Sequence, residues 1–197
     1  MTSNSAKRER SDARRNRERI LDAARAAFAA DGTGLEMRAI AEAAGVGIGT
    51  VFRNFPTKQQ LVSAMAHEWA TQRDATLGRS LSITDPWGAV ADHVRWCGEM
   101  MSREPGLRRL LMDESVKSQL SDEEDTAFAA GLAELVARAQ AAQVLRTEVT
   151  TATYYGLLVG LAAAINAGSA WQIAADVILS GLRRPKDAPQ VDNGAST

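Results

Sequence analysis

Between Ala44 and Leu61 the chain reads AGVGIGTVFRNFPTKQQL. Gly45, Gly47 and Gly49 precede Phe52, Arg53 and, beyond Pro56, Lys58. Glycines beside cations suggest two chemistries. Their backbone N–H groups could cradle a nucleotide phosphate, or the stretch could be the turn and second helix of a DNA-reading pair. A phosphate loop needs four residues between its glycines and then Gly-Lys-Ser or Gly-Lys-Thr, and a dinucleotide site needs its glycines directly after a strand. Here Lys58 follows Pro56, and the residues from Met37 to Ala44 are helix formers, not a β-branched strand. The helix-turn-helix reading fits. Ala41 supplies a small contact between steeply crossing helices, Gly45 the turn, and Val51 an apolar anchor. Ile40, Ala44 and Val46 fall where apolar groups are needed.

Other reactive residues do not assemble into a site. Cys97 is the one cysteine, which excludes an internal disulfide and fits a reducing, cytoplasmic setting. His93 lies one helical turn before it, but no third group completes a nucleophile set. No metal-ligand cluster and no paired-carboxylate motif appear, so neither metal nor cofactor nor enzymatic activity is expected. Asp122-Glu123-Glu124-Asp125 reads as a favourable helix amino end. No apolar run follows the basic start, and the most apolar stretch, Tyr154 to Ala167, is too short for a bilayer; a signal peptide and a membrane span are not expected.

The net charge of −1 over 197 residues hides an asymmetry. Residues 1–60 carry eleven Lys/Arg against seven Asp/Glu, and the remainder twelve against seventeen. Lys7, Arg8, Arg10, Arg14, Arg15, Arg17 and Arg19 concentrate the excess, as a phosphate-attracting arm would.

Helical periodicity runs through nearly the whole chain, and the fold class expected is all-α with about nine helices. Helix one spans about Asn16 to Ala30 and stops at Asp31-Gly32. The second and third cover about 37–44 and 48–54. Thr57, with Gln60 three residues on, forms a capping box for a fourth helix reaching about Leu77. Asp85-Pro86 opens the next. Gly106 begins a short helix, Ser121-x-x-Glu124 caps another, and two apolar helices close the chain at about 151–167 and 169–182. The expected organisation is a flexible basic arm (1–13), a DNA-binding head (14–65), a ligand-binding and dimerisation body (66–184) and a polar tail (185–197).

The segments RILDAARAAFAADG, MRAIAEAAGVGIGTVFRNFPTKQQL and VILSGLRR resemble the TetR family of bacterial helix-turn-helix regulators. The resemblance implies a three-helix DNA-binding head, a linking helix, a dimerising body, and a small ligand that releases the operator. It places Arg38 at the DNA backbone and Gly47, Ile48, Gly49 and Thr50 at the amino end of the recognition helix. Phe52, Arg53 and Asn54 follow on its exposed face, and Lys58 meets a phosphate. Gly47 stands where the family usually has a serine-like cap, Phe52 where it usually has tyrosine, and acidic Glu36 where it often has threonine. Arg53 can pair bidentately with guanine.

Long apolar side chains on neighbouring body helices make Trp96, Met100, Met112 and Phe128 candidate lining of a ligand pocket. Trp69, Trp87, Trp96 and Trp171 are otherwise expected in the core. One short recognition helix touches few bases, so specificity calls for a homodimer on a palindromic double-stranded operator. Leu157, Leu161 and Ile165 on the penultimate helix, with Ile173, Val177 and Ile178 on the last, are the expected dimer interface. The leading function is a ligand-released repressor. The alternatives are an activator without a ligand, or a helical protein-interaction module.

Overall fold

The computed structural model describes residues 2–34, 36–112 and 122–185. Nine α-helices are present among them: α1 (Thr2–Asp31), α2 (Met37–Ala43), α3 (Ile48–Asn54), α4 (Lys58–Leu81), α5 (Pro86–Arg103), α6 (Pro105–Met112), α7 (Asp122–Ala141), α8 (Thr151–Asn166) and α9 (Trp171–Leu182). A single turn of 3-10 helix, Gly32–Gly34, follows α1. The class is all-α, as the periodicity requires. Among the described residues the one β-type pairing is an isolated bridge between Leu145 and Arg183.

Local signals set most boundaries. The Thr57 hydroxyl accepts from the Gln60 N–H at 3.1 Å and opens α4. The Asp85 carboxylate accepts from the Gly88 N–H at 2.8 Å ahead of Pro86. Three boundaries differ from expectation. Helix α1 starts at Thr2 rather than near Asn16, so the basic arm is its first half; propensity continues through SAKRERSDARRNRER with no breaker. Helix α4 runs one turn beyond Leu77. The last helix starts at Trp171 because Gly168, at φ 95°, and Ser169 belong to the preceding turn. The Ser121 capping box and the polar tail from 186 lie outside the described residues.

The head packs α1, α2 and α3 around Ile20, Ala24, Phe28, Ile40, Val51 and Phe55, all almost fully buried. The body packs α4, α5, α7, α8 and α9 around Leu77, Val90, Val94, Leu135, Leu161 and Leu179. Two ties join them. Helix α4 leaves the head and enters the body, with Arg25 bonded to Glu68 at 2.7 Å across the α1–α4 contact. Helix α6 lies against the end of α1, where Arg109 Nη1 donates to the carbonyls of Ala29 and Ala30 at 3.0 and 2.8 Å. Of the four tryptophans only Trp69 is buried; Trp87, Trp96 and Trp171 are half-buried, because an indole on a helix near the surface keeps one edge exposed.

Candidate nucleic-acid interface and interior cavity

The turn between α2 and α3 is built as the sequence requires. Gly45 adopts φ 61°, a left-handed conformation that suits glycine. Its N–H donates to the Glu42 carbonyl at 3.0 Å, and the Val46 N–H donates to the Ala41 carbonyl at 3.0 Å. Ala41 and Ala44 are buried at the crossing, and Val51 and Phe55 fix the inner side of α3.

The opposite side of α3 is bare. Ile48 is 38 % exposed and Phe52 47 %. Gly47 and Gly49 have nothing within 4 Å of where a side chain would begin, so the backbone there is open to a close approach. Arg38, Arg53 and Lys58 are exposed, whereas Thr50 and Asn54 are half-buried. Asn54 Nδ2 donates to the Thr50 carbonyl at 2.8 Å. Arg53 lies back along its own helix, with Nε donating to the Gly49 carbonyl at 3.1 Å and Nη2 to Thr50 Oγ1 at 3.1 Å. Of the expected DNA-facing residues, Arg38, Gly47, Ile48, Gly49, Phe52, Arg53 and Lys58 are thus open to solvent.

Two arginines counted with the basic arm have structural partners that the sequence did not reveal. Arg19 Nη2 donates to the Gly45 carbonyl at 3.3 Å, tying α1 to the turn. The Arg17 guanidinium sits 4.5 Å over the Phe55 ring. Both partners are distant in sequence, so no local spacing signals them.

In the body, a narrow, partly enclosed cavity of about 30 Å³ lies among α4, α5, α7 and α8. Trp96, Met100 and Phe128 line it; the Met112 side chain lies outside the described residues. Trp69, Arg73, His93, Cys97 and Tyr155 also line it and were not expected to. Two open clefts share its walls, one of about 440 Å³ between α4 and α5 and one of about 400 Å³ among α4, α7 and α8. At its edge the Arg73 guanidinium lies 3.9 Å over the Phe128 ring and 5.0 Å from that of Trp69. Arg73 also pairs with Asp74 at 2.9 Å and Asp125 at 3.4 Å.

His93, Cys97 and Tyr154 are held neutral in this interior. His93 Nδ1 is 2.8 Å from the Tyr154 hydroxyl, and its Nε2 is 3.9 Å from Cys97 Sγ. Burial lowers the His93 pKa to about 4, against the raising effect of Asp92 and with a further lowering by Arg79. Burial pushes the Cys97 thiol up to about 12 and Tyr154 well above the ordinary phenol value. Such a thiol is inert rather than nucleophilic. Among the described residues no group of three or more His, Cys, Asp or Glu could hold a metal, and no helix is long and apolar enough to cross a membrane.

The expected dimer face divides in two. Leu161 and Ile165 point inward, 0 % and 9 % exposed, and close the chain's own core; their assignment to an interface is corrected. Leu157 and Ile178 are half-buried. Ile173 and Val177 are 68 % and 67 % exposed. On α8, Gly156 and Gly160 have nothing within 4 Å of where a side chain would begin.

Residues 20–65 match the family model for bacterial regulatory proteins of the tetR family. Residues 85–184, just over half of the chain, match the C-terminal domain of SbtR-like transcriptional regulators. The chain belongs to the TetR family. A TetR transcription regulatory protein from Mycobacterium vanbaalenii is 36 % identical, with 88 % of this chain and 98 % of that one covered and a TM-score of 0.60. The HTH-type transcriptional repressor KstR of Mycolicibacterium smegmatis is 36 % identical over 94 residues. That match covers 47 % of this chain and 46 % of the repressor, so it spans about half the length of the curated relative. AibR, solved in complex with isovaleryl coenzyme A and operator DNA, shares the TetR fold at a TM-score of 0.70, covering 86 % of this chain and 99 % of that one at 18 % identity.

Proposed function

We propose that this TetR-family chain is a sequence-specific DNA-binding transcriptional regulator. It acts as a repressor that a small ligand, bound in the body, releases from its operator. The observation that carries this reading is the two-sided α3: Val51 and Phe55 anchor one side, while glycines, Ile48, Phe52 and Arg53 stand open on the other. A helix seated so is free to enter a major groove. Residues 14–65 are the DNA-binding head and 66–184 the ligand-binding and dimerisation body. The basic start of α1 adds phosphate attraction. Arg53 reads bases, Arg38 and Lys58 position the backbone, and Gly47, Ile48, Gly49, Thr50, Phe52 and Asn54 shape the groove contact.

Two copies meet through α8 and α9 across a two-fold axis, with Ile173 and Val177 at the centre and Leu157 and Ile178 beside them. The exposed apolar side chains of Ile173 and Val177, and the bare Gly156 and Gly160 on α8, support that contact, since small residues let helices approach closely. The protein works in the cytoplasm, on a palindromic operator, without cofactor and without catalysing a reaction. The test is binding of the purified protein to DNA upstream of its own gene. A shifted band that resists competitor DNA, with two copies on a palindrome, is expected. Equal affinity for random DNA would overturn the reading.

A further inference from the structure

Tyr154 is 1 % exposed, and among the described residues its hydroxyl has one partner, Nδ1 of His93, which is itself 1 % exposed. A buried hydroxyl keeps its hydrogen bonded by donating it. Tyr154 therefore donates to Nδ1, and a neutral imidazole accepting at Nδ1 carries its own hydrogen on Nε2. Nε2 faces Cys97 Sγ at 3.9 Å, a weak acceptor at long range. Trp69, 4 % exposed, lines the same cavity, and its indole Nε1 has no partner among the described residues. Two buried N–H donors, one on α4 and one on α5, thus border an interior that offers neither a proper acceptor. Leaving a buried donor unpaired is costly, and an occupant bringing an acceptor removes that cost.

The positive charge at this cavity is already answered. Arg73 is the one cation lining it among the described residues, and two carboxylates, Asp74 and Asp125, lie beside its guanidinium. An anionic ligand would have to compete with both carboxylates. The other walls, among them Met100, Met101 and Leu158, are apolar.

We propose that this cavity takes an uncharged, largely apolar ligand whose carbonyl-type oxygen accepts from His93 Nε2–H, with Trp69 Nε1–H as the second donor. This rests on the reading of the body as a ligand-binding unit and names the ligand's chemistry. The cavity's volume of about 30 Å³ has room for little more than a water molecule, so the ligand fits only by moving a wall. Phe128 of α7 and Tyr155 of α8 meet edge to face, with centroids 6.3 Å apart, and line both the cavity and the cleft among α4, α7 and α8. Their parting joins the two spaces. Met100, unbranched and adaptable, lies on the opposite wall shared with the other cleft.

Three probes of one shape separate the possibilities: acetophenone carries a carbonyl, cumene none, and benzoate a charge. Calorimetric titration of the full-length protein at pH 7.5 should show acetophenone binding about tenfold tighter than cumene or benzoate, the ratio expected of one well-made hydrogen bond. In the double variant His93→Phe with Tyr154→Phe, which removes donor and partner together, the preference over cumene should fall to within about threefold while cumene itself is unchanged. Trp69→Phe should lower the same preference without abolishing cumene binding, and it serves alone if the double variant does not fold. Equal binding of acetophenone and cumene, benzoate binding tightest, no binding of any probe, or a preference surviving in the variants that fold overturns the proposal. Operator affinity, scored separately with each probe, keeps the two readings apart. Ketone preference without any operator release upholds the site and removes the effector role. Tight benzoate binding with release upholds the effector role and removes this ligand class.

Discussion

Gly106 meets the backbone of Arg25 so closely that a side-chain carbon on it would lie 2.6 Å from the Arg25 carbonyl oxygen. That contact presses α6 against α1 in its last turns, and Arg109 fastens the same pair by donating to Ala29 and Ala30. The head's first helix and the body's short helix therefore move together. A change of body packing near α6 has a direct mechanical route to α3, because α1 also holds the Gly45 turn through Arg19.

The substitution Gly106→Ala should force α6 off α1. Overpacking of this kind costs roughly 1–3 kcal/mol. Thermal denaturation should show a lowered midpoint and operator titration a weakened affinity. An unchanged melting curve together with unchanged affinity would show that the contact has slack.

Gly45→Ala acts differently. The new side chain would adopt a left-handed backbone and would also meet Arg19 Nη2 at 2.7 Å. The backbone cost alone is about 1–2 kcal/mol. The guanidinium end can swing away, so the strain, not the clash, should dominate. Pairing Gly45→Ala with Arg19→Ala checks this: the loss of stability should persist in the double variant.

Arg53 and Lys58 should separate in their effects on DNA. Arg53 gives up its bonds to Gly49 and Thr50 to reach a base. Arg53→Ala should cost roughly 1–3 kcal/mol at the operator and relax discrimination at one base pair. Lys58→Ala should weaken all sequences alike and shallow the salt dependence by about one. Anisotropy titrations on operator and random DNA over several salt concentrations decide, and an equal loss on both DNAs for Arg53→Ala removes its base-reading role.

Val177→Glu and Leu161→Glu should fail in opposite ways. Val177 is exposed in the single chain, so its variant should stay folded by circular dichroism yet sediment as a monomer with weak operator binding. Leu161 is fully buried, so its variant should lose the fold, because an unpaired carboxylate cannot be accommodated there. A dimeric Val177→Glu protein would move the interface elsewhere.

His93 gives the fold a pH dependence. In the unfolded chain the imidazole titrates near its ordinary value of 6.5, and burial brings it in the fold to about 4. Between those values the unfolded state binds more protons, so stability falls as pH drops from about 6.5 towards 4, by about 3 kcal/mol in all. Chemical denaturation at a series of pH values should show that slope. His93→Gln, which cannot take up the proton, should flatten it even if its absolute stability is lower.

The helix-turn-helix is legible in the sequence because its determinants are local. Glycine at a left-handed turn, apolar residues at helical spacing, and caps such as Thr57 with Gln60 and Asp85 with Gly88 all act within one or two turns of chain. The same locality explains why α3 and the start of α4 appear where expected. What depended on distant partners was not readable. Arg19 looked like one more cation of the arm, and its carbonyl acceptor is 26 residues away. His93 and Cys97 looked incidental, and the Tyr154 hydroxyl that orients the imidazole lies 61 residues on. Leu161 and Val177 looked alike as interface candidates. Helix α8 is apolar around more than one face, so its sequence carries little directional signal, and only the packing of α5, α6, α7 and α9 against it determined which face turned inward. Periodicity reports what a helix could bury; which side it does bury depends on the neighbours that the folded chain brings to it.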